Sequence, residues 1–97
     1  MSDDFFAPPA FKAEEALVGL KRSLRELKLA ERGTGFELGG QPVIEIALDG
    51  DAIRARIVAR PARTPQWDTL RLASSAEVRK FLDEARRRAA RWSERDE

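Results

Sequence analysis

Histidine, cysteine and tyrosine are all missing from this chain of 97 residues. Without imidazole or thiolate, the usual protein sites for zinc, copper and non-haem iron cannot be assembled within it. Ser-His-Asp and Cys-His nucleophilic machinery is excluded for the same reason. Without cysteine there is no disulfide framework. Acid–base work would fall to carboxylates, lysine or arginine, which titrate near neutrality only when buried or closely paired.

Cofactor motifs are missing as well. Gly33-Thr34-Gly35 and Gly39-Gly40 are followed by no Gly-Lys-Ser/Thr and open no helix, so they read as turn glycines and not as a phosphate cradle. Asp49 and Asp51 fall well short of a calcium loop and suit turn chemistry. Glu14-Glu15 and Asp83-Glu84 are sequential pairs, which diverge on a helix and form no acid–base couple. The expectation is a protein that is not an enzyme, with no catalytic residue, no cofactor and no metal.

Long hydrophobic runs are also lacking. The longest, such as Ile57-Val58-Ala59, are strand-sized, against the roughly 20 residues a bilayer span needs. Met1-Ser2-Asp3-Asp4 is acidic and has no basic n-region of a secretory signal. A cytoplasmic chain with no membrane partner is the expectation.

What is present is globular in composition, 42% apolar and 36% charged, and long enough for one domain with a modest core. The formal net charge is +1, unevenly placed. Residues 51–97 hold eleven arginines and one lysine against eight acids. Two readings stand: a coding preference for arginine, or a basic patch for an anionic partner.

Along the chain, residues 1–9 read as a flexible tail, with Phe5-Phe6 ahead of Ala7-Pro8-Pro9. Residues 10–93 read as one α+β domain and 94–97 as a frayed end. A helix is expected over 10–32. Ala13, Leu17, Leu20, Leu24 and Leu27 recur at steps of four and three, a core-facing stripe, and Gly33 would cap the end. Phe11, Val18 and Leu29 fall on the opposite side of that helix. They form a candidate self-association strip, or else three scattered apolar residues.

Strands are expected at 36–38 and 43–48, after a turn at Gly39-Gly40-Gln41-Pro42, and at 52–59. Asp49-Gly50-Asp51 makes a hairpin that pairs Leu48 with Ile53 and sets Glu45 across from Arg56. Two prolines mark residues 60–65 as a loop. Residues 66–72 read as a last strand, with Leu70 and Leu72 facing one way and Trp67, Thr69 and Arg71 the other. Ser74 to Glu77 reads as a capping box. It opens a helix with Val78, Phe81, Leu82, Ala85, Ala89 and Trp92 on one face.

The fold class is therefore α+β. Two layers are expected: an antiparallel meander sheet of three to four strands, with an N-terminal and a C-terminal helix packed on one face. The other face would carry Arg54, Arg56, Arg60, Trp67 and Arg71 with Glu37 and Glu45. Arginines around a tryptophan compose a candidate interaction surface, unless Trp67 turns inward.

The helix–strands–helix order is similar in topology to the double-stranded-RNA-binding domain. That family opens its last helix with clustered lysines, where this chain has Ser75-Ala76-Glu77. Residues 36–86 resemble the positive-cofactor family of single-stranded-DNA-binding transcription proteins. There a strand runs into a capped helix much as Trp67–Leu72 runs into Ser74 onward. Pro65-Gln66 replaces the basic-glycine lead-in usual in that family.

The reading the sequence favours is a non-catalytic protein–protein interaction domain, self-associating as a homodimer or binding another protein. The alternative is weak nucleic-acid binding through the arginine-bearing sheet face.

Overall fold

The structure, a computed structural model, describes residues 10–95. The expected tail over residues 1–9 lies outside them, as do residues 96 and 97.

Helix α1 spans Ala13–Arg25. Glu14 and Glu15 sit in its first turn and Arg22 and Arg25 in its last, the arrangement its dipole favours. Its stripe turns inward as expected: Ala13, Leu20 and Leu24 are buried, and Leu17 packs partly buried against them.

The helix ends seven residues before the expected boundary. Glu26, Leu27 and Lys28 donate to the carbonyls of Ser23, Leu24 and Arg25, a tightening of the last turn to three-residue steps. Lys28 then takes a left-handed φ of 64°, which continues no helix. The chain reverses into an extra strand, β1, Ala30–Arg32. Arg25 clamps that reversal by donating from Nε to Glu31 Oε1 at 2.6 Å.

Four further strands follow: β2 Gly35–Leu38, β3 Gln41–Asp49, β4 Ala52–Val58 and β5 Trp67–Leu72. They form one antiparallel sheet in the order β1-β2-β3-β4-β5. The sheet has five strands because the segment after α1 adds one. The β3–β4 register is the expected one, with Leu48 opposite Ile53 and Glu45 opposite Arg56. Gly50 has a φ of 65° at the first of the two loop residues, where a type II′ hairpin turn places its glycine. Between β2 and β3 the register shifts and skips Val43, so Val43 and Ile44 are consecutive yet both buried.

Helix α2 spans Ser75–Arg95. The capping box forms with a one-residue variation. Ser74 Oγ accepts from the Glu77 N–H at 3.2 Å, and Glu77 Oε1 accepts from the N–H of Ala73 at 2.7 Å. Phe81, Ala85, Ala89 and Trp92 enter the core, with Val78 and Leu82 at its margin. The Trp92 indole N–H donates to the Ala59 carbonyl at 3.1 Å, so the one polar atom of a fully buried side chain is satisfied.

Both helices therefore pack on the sheet face carrying Phe36, Ile44, Ile46, Ile53, Ile57 and Leu72, in one apolar cluster. No described helix is long and apolar enough to cross a membrane.

Candidate functional site: the uncovered sheet face and the β5 edge

Alternation along β4 points Ile53, Ala55 and Ile57 to the helices and Arg54 and Arg56 away from them. The ladder carries the same split into β5. Arg71 lies opposite Arg54, and Thr69 opposite Arg56. Trp67 is thus the diagonal neighbour of Arg56, two residues along the facing strand.

That diagonal is occupied. The Arg56 guanidinium carbon stands 4.4 Å from the centre of the Trp67 ring, and its Nη1 donates to Glu45 Oε1 at 2.8 Å. One guanidinium is held between a carboxylate on β3 and an indole on β5. Arg71 reaches the hairpin instead, donating from Nη2 to Asp51 Oδ1 at 3.2 Å, with Asp49 at 4.0 Å. Arg54 is exposed and has no ion pair among the described residues. Between them lies a shallow groove of about 380 Å³ lined by Thr34, Glu45, Ala47, Arg54, Arg56 and Thr69.

Four of the five expected surface residues, Arg54, Arg56, Trp67 and Arg71, are brought together. Arg60 is not. Strand β4 ends at Val58, and Arg60 lies beyond it in the loop, where it borders a separate shallow cleft with Thr64 and Gln66. Of the two acids expected on this face, Glu45 is there, and Glu37 pairs with Arg32 at 3.7 Å. Trp67 neither turns into the core nor stands free. It is half-buried, opposite Val58, a valine of outward parity that is nonetheless fully buried.

The self-association strip does not form. Leu29 is 8% exposed and belongs to the core, because the chain leaves the helix before reaching it. Phe11 packs partly buried against the same core. Val18 alone is open, at 57%. The helical projection that aligned the three residues fails once the helix stops at Arg25.

A second feature went unseen in the sequence. On the helix side of β5, Leu70 is 41% exposed, although its alternation is that of a core residue. It floors a groove of about 460 Å³ between β5 and α2, together with Ile57, Leu72 and Phe81. The other end of this seam is tied by Arg88. That arginine donates to Glu84 Oε2 at 2.7 Å, to Asp68 Oδ2 at 2.9 Å and to the Val58 carbonyl at 3.2 Å. Burial works against its charge, but the hydrogen bonds to Glu84 and Asp68 outweigh burial and hold the guanidinium above its ordinary range. Arg88 and then Arg87 hold the Glu84 carboxyl below its ordinary range.

No group of three or more histidine, cysteine, aspartate or glutamate side chains that could hold a metal ion occurs among the described residues. Compared with family models, with curated proteins and with solved structures, the chain matches none.

Proposed function

We propose that this chain is a non-catalytic interaction domain that binds protein, a second copy of itself included. One observation carries the reading: on the sheet face that neither helix covers, Arg56 is locked between Glu45 and Trp67. Arginine and tryptophan give large contact energies, and a side chain already held in place loses less freedom when a partner arrives. The charges also favour protein over nucleic acid. Arg56 and Arg71 are neutralised by Glu45, Asp49 and Asp51, which leaves little attraction for a phosphate backbone. The absence of histidine, cysteine and tyrosine argues in the same direction against catalysis. Size-exclusion chromatography with light scattering tests the reading. The expected result is a mass above the 10.9 kDa of one chain, unchanged by added oligonucleotide. A strict monomer at high concentration that captures the oligonucleotide overturns it.

A second reading is favoured by one contact. Arg54, which has no ion pair among the described residues, lies directly opposite Arg71 on an exposed face, and like charges so placed repel, so an anion beside Arg54 is favoured although Asp49 and Asp51 already hold Arg71. Single-stranded nucleic acid could supply that anion, with a base stacked on Trp67. A fluorescence titration decides it, since Trp92 is buried and Trp67 alone can report. Quenching with a negative salt slope that disappears in Arg54→Glu would put this reading first. No change at low salt removes it.

A further inference from the structure

We propose, resting on the self-association reading above, that a second copy of this chain adds its β5 antiparallel to this one, joining two five-stranded sheets into one about a two-fold axis at Thr69. Among the described residues the sheet has two open edges, β1 and β5. The β1 edge is blunted: three residues long, all exposed, two of them charged, as edges that avoid pairing are built. The β5 edge has six residues, no proline and an unbroken register with β4.

Its free hydrogen-bonding groups can be assigned. The Ala59 N–H donates to the Gln66 carbonyl at 3.3 Å. By the alternation of an antiparallel ladder, Gln66, Asp68, Leu70 and Leu72 then turn their backbone groups to β4. Trp67, Thr69 and Arg71 turn theirs outward. An axis at Thr69 pairs Thr69 with its own copy and each Trp67 with the copy's Arg71, so every outward group finds a partner.

Side chains single out this register and this occupant. An axis at Asp68 would oppose two carboxylates, and one at Arg71 two guanidinium groups. An axis at Leu70 would leave both Trp67 side chains beyond the overlap. At Thr69 the outer face gains two arginine–tryptophan pairs and a threonine pair, all favourable across strands. On the inner face each Leu70 lies opposite the copy's Asp68, and the two exposed Leu70 side chains are diagonal neighbours, within reach of one another. The axis is perpendicular to the sheet, so both copies of α2 lie on one side of it. The groove floored by Leu70, Leu72 and Phe81 then faces its own copy. An unrelated strand would bring this arrangement only by chance, whereas a second copy carries it in its own sequence.

The chain's lack of cysteine makes the test clean. Under mild oxidation Thr69→Cys should give a covalent dimer on a non-reducing gel. Arg54→Cys, on β4 and away from the edge, should not. Leu70→Asp, which would set a carboxylate directly opposite the copy's Asp68, and Thr69→Pro should move the scattering mass to 10.9 kDa with an unchanged far-ultraviolet circular dichroism spectrum. Proline at residue 69 removes only an outward N–H, and if that variant does not fold, Leu70→Asp decides alone. A dimer that persists in Leu70→Asp and fails to cross-link through Thr69→Cys overturns the edge pairing and leaves self-association standing. A wild-type chain that stays monomeric overturns both.

Discussion

Arg56 lies over the face of Trp67, with the guanidinium carbon 4.4 Å from the ring centre, although the two residues sit on different strands and eleven positions apart. The contact exists because β5 pairs Thr69 with Arg56 and so brings Trp67 into diagonal reach. A cation held over an indole at a partly exposed site is worth about 0.5–1 kcal/mol. A double-mutant cycle of Arg56→Ala and Trp67→Ala, measured by urea unfolding, should return a coupling of that size. Additive effects would show that the stacked pair contributes nothing to the fold.

Ile46 and Ile57 stand on adjacent strands under the helices, both essentially inaccessible. Alanine at either position should cost about 2–5 kcal/mol through lost transfer energy and the cavity left behind. In a domain of this size that is a large part of total stability. Chemical denaturation measures it, and a loss below about 1 kcal/mol would mean that the site collapses around the deletion.

Leu29→Glu should unfold the domain. The residue is packed in the core after the chain leaves α1, and a carboxylate there would be buried without a partner. Thermal melting by circular dichroism should show a large fall in Tm. A folded variant that merely changes oligomeric state would restore the helical strip that the structure removes.

Acid should weaken the seam between α2 and β5. Glu84 is held below the ordinary carboxylate range by hydrogen bonds from Arg88 and then Arg87, and Glu31 by its hydrogen bond from Arg25. A carboxyl depressed in the fold stabilises it fully above the unfolded value of about 4.3, and that contribution fades as pH falls through the folded value below it. Tm should therefore be nearly flat between about pH 6 and pH 5 and should drop below about pH 4. Glu84→Gln should lower Tm at neutral pH and shrink the acid drop. An acid profile identical to wild type would exclude Glu84 as a contributor.

Where short-range pattern decides, sequence and structure agree. The β3–β4 hairpin follows from period-two alternation on either side of Asp49-Gly50-Asp51, because a one-residue slip would put Ile44 and Ile46 on the opposite sheet face from Ile53 and Ile57. Helix α2 follows from its capping residues and a single apolar face, both set by neighbours three and four positions away. What the sequence could not decide is where competing partners lie far along the chain. Residues 26–32 are compatible with helix, yet the ladder with β2 and the burial of Leu29 draw them away from α1, since tertiary contacts outweigh the small propensity differences between residues. Leu70 carries the alternation of a core residue and is left open because β5 is the last strand of the sheet. Edge position is a property of strand order, which leaves no mark on the strand's own pattern. The arginine face was legible residue by residue, and so was Glu45 across from Arg56 within one hairpin, while the contact of Arg71 with Asp51 needed a third strand to be placed beside the turn.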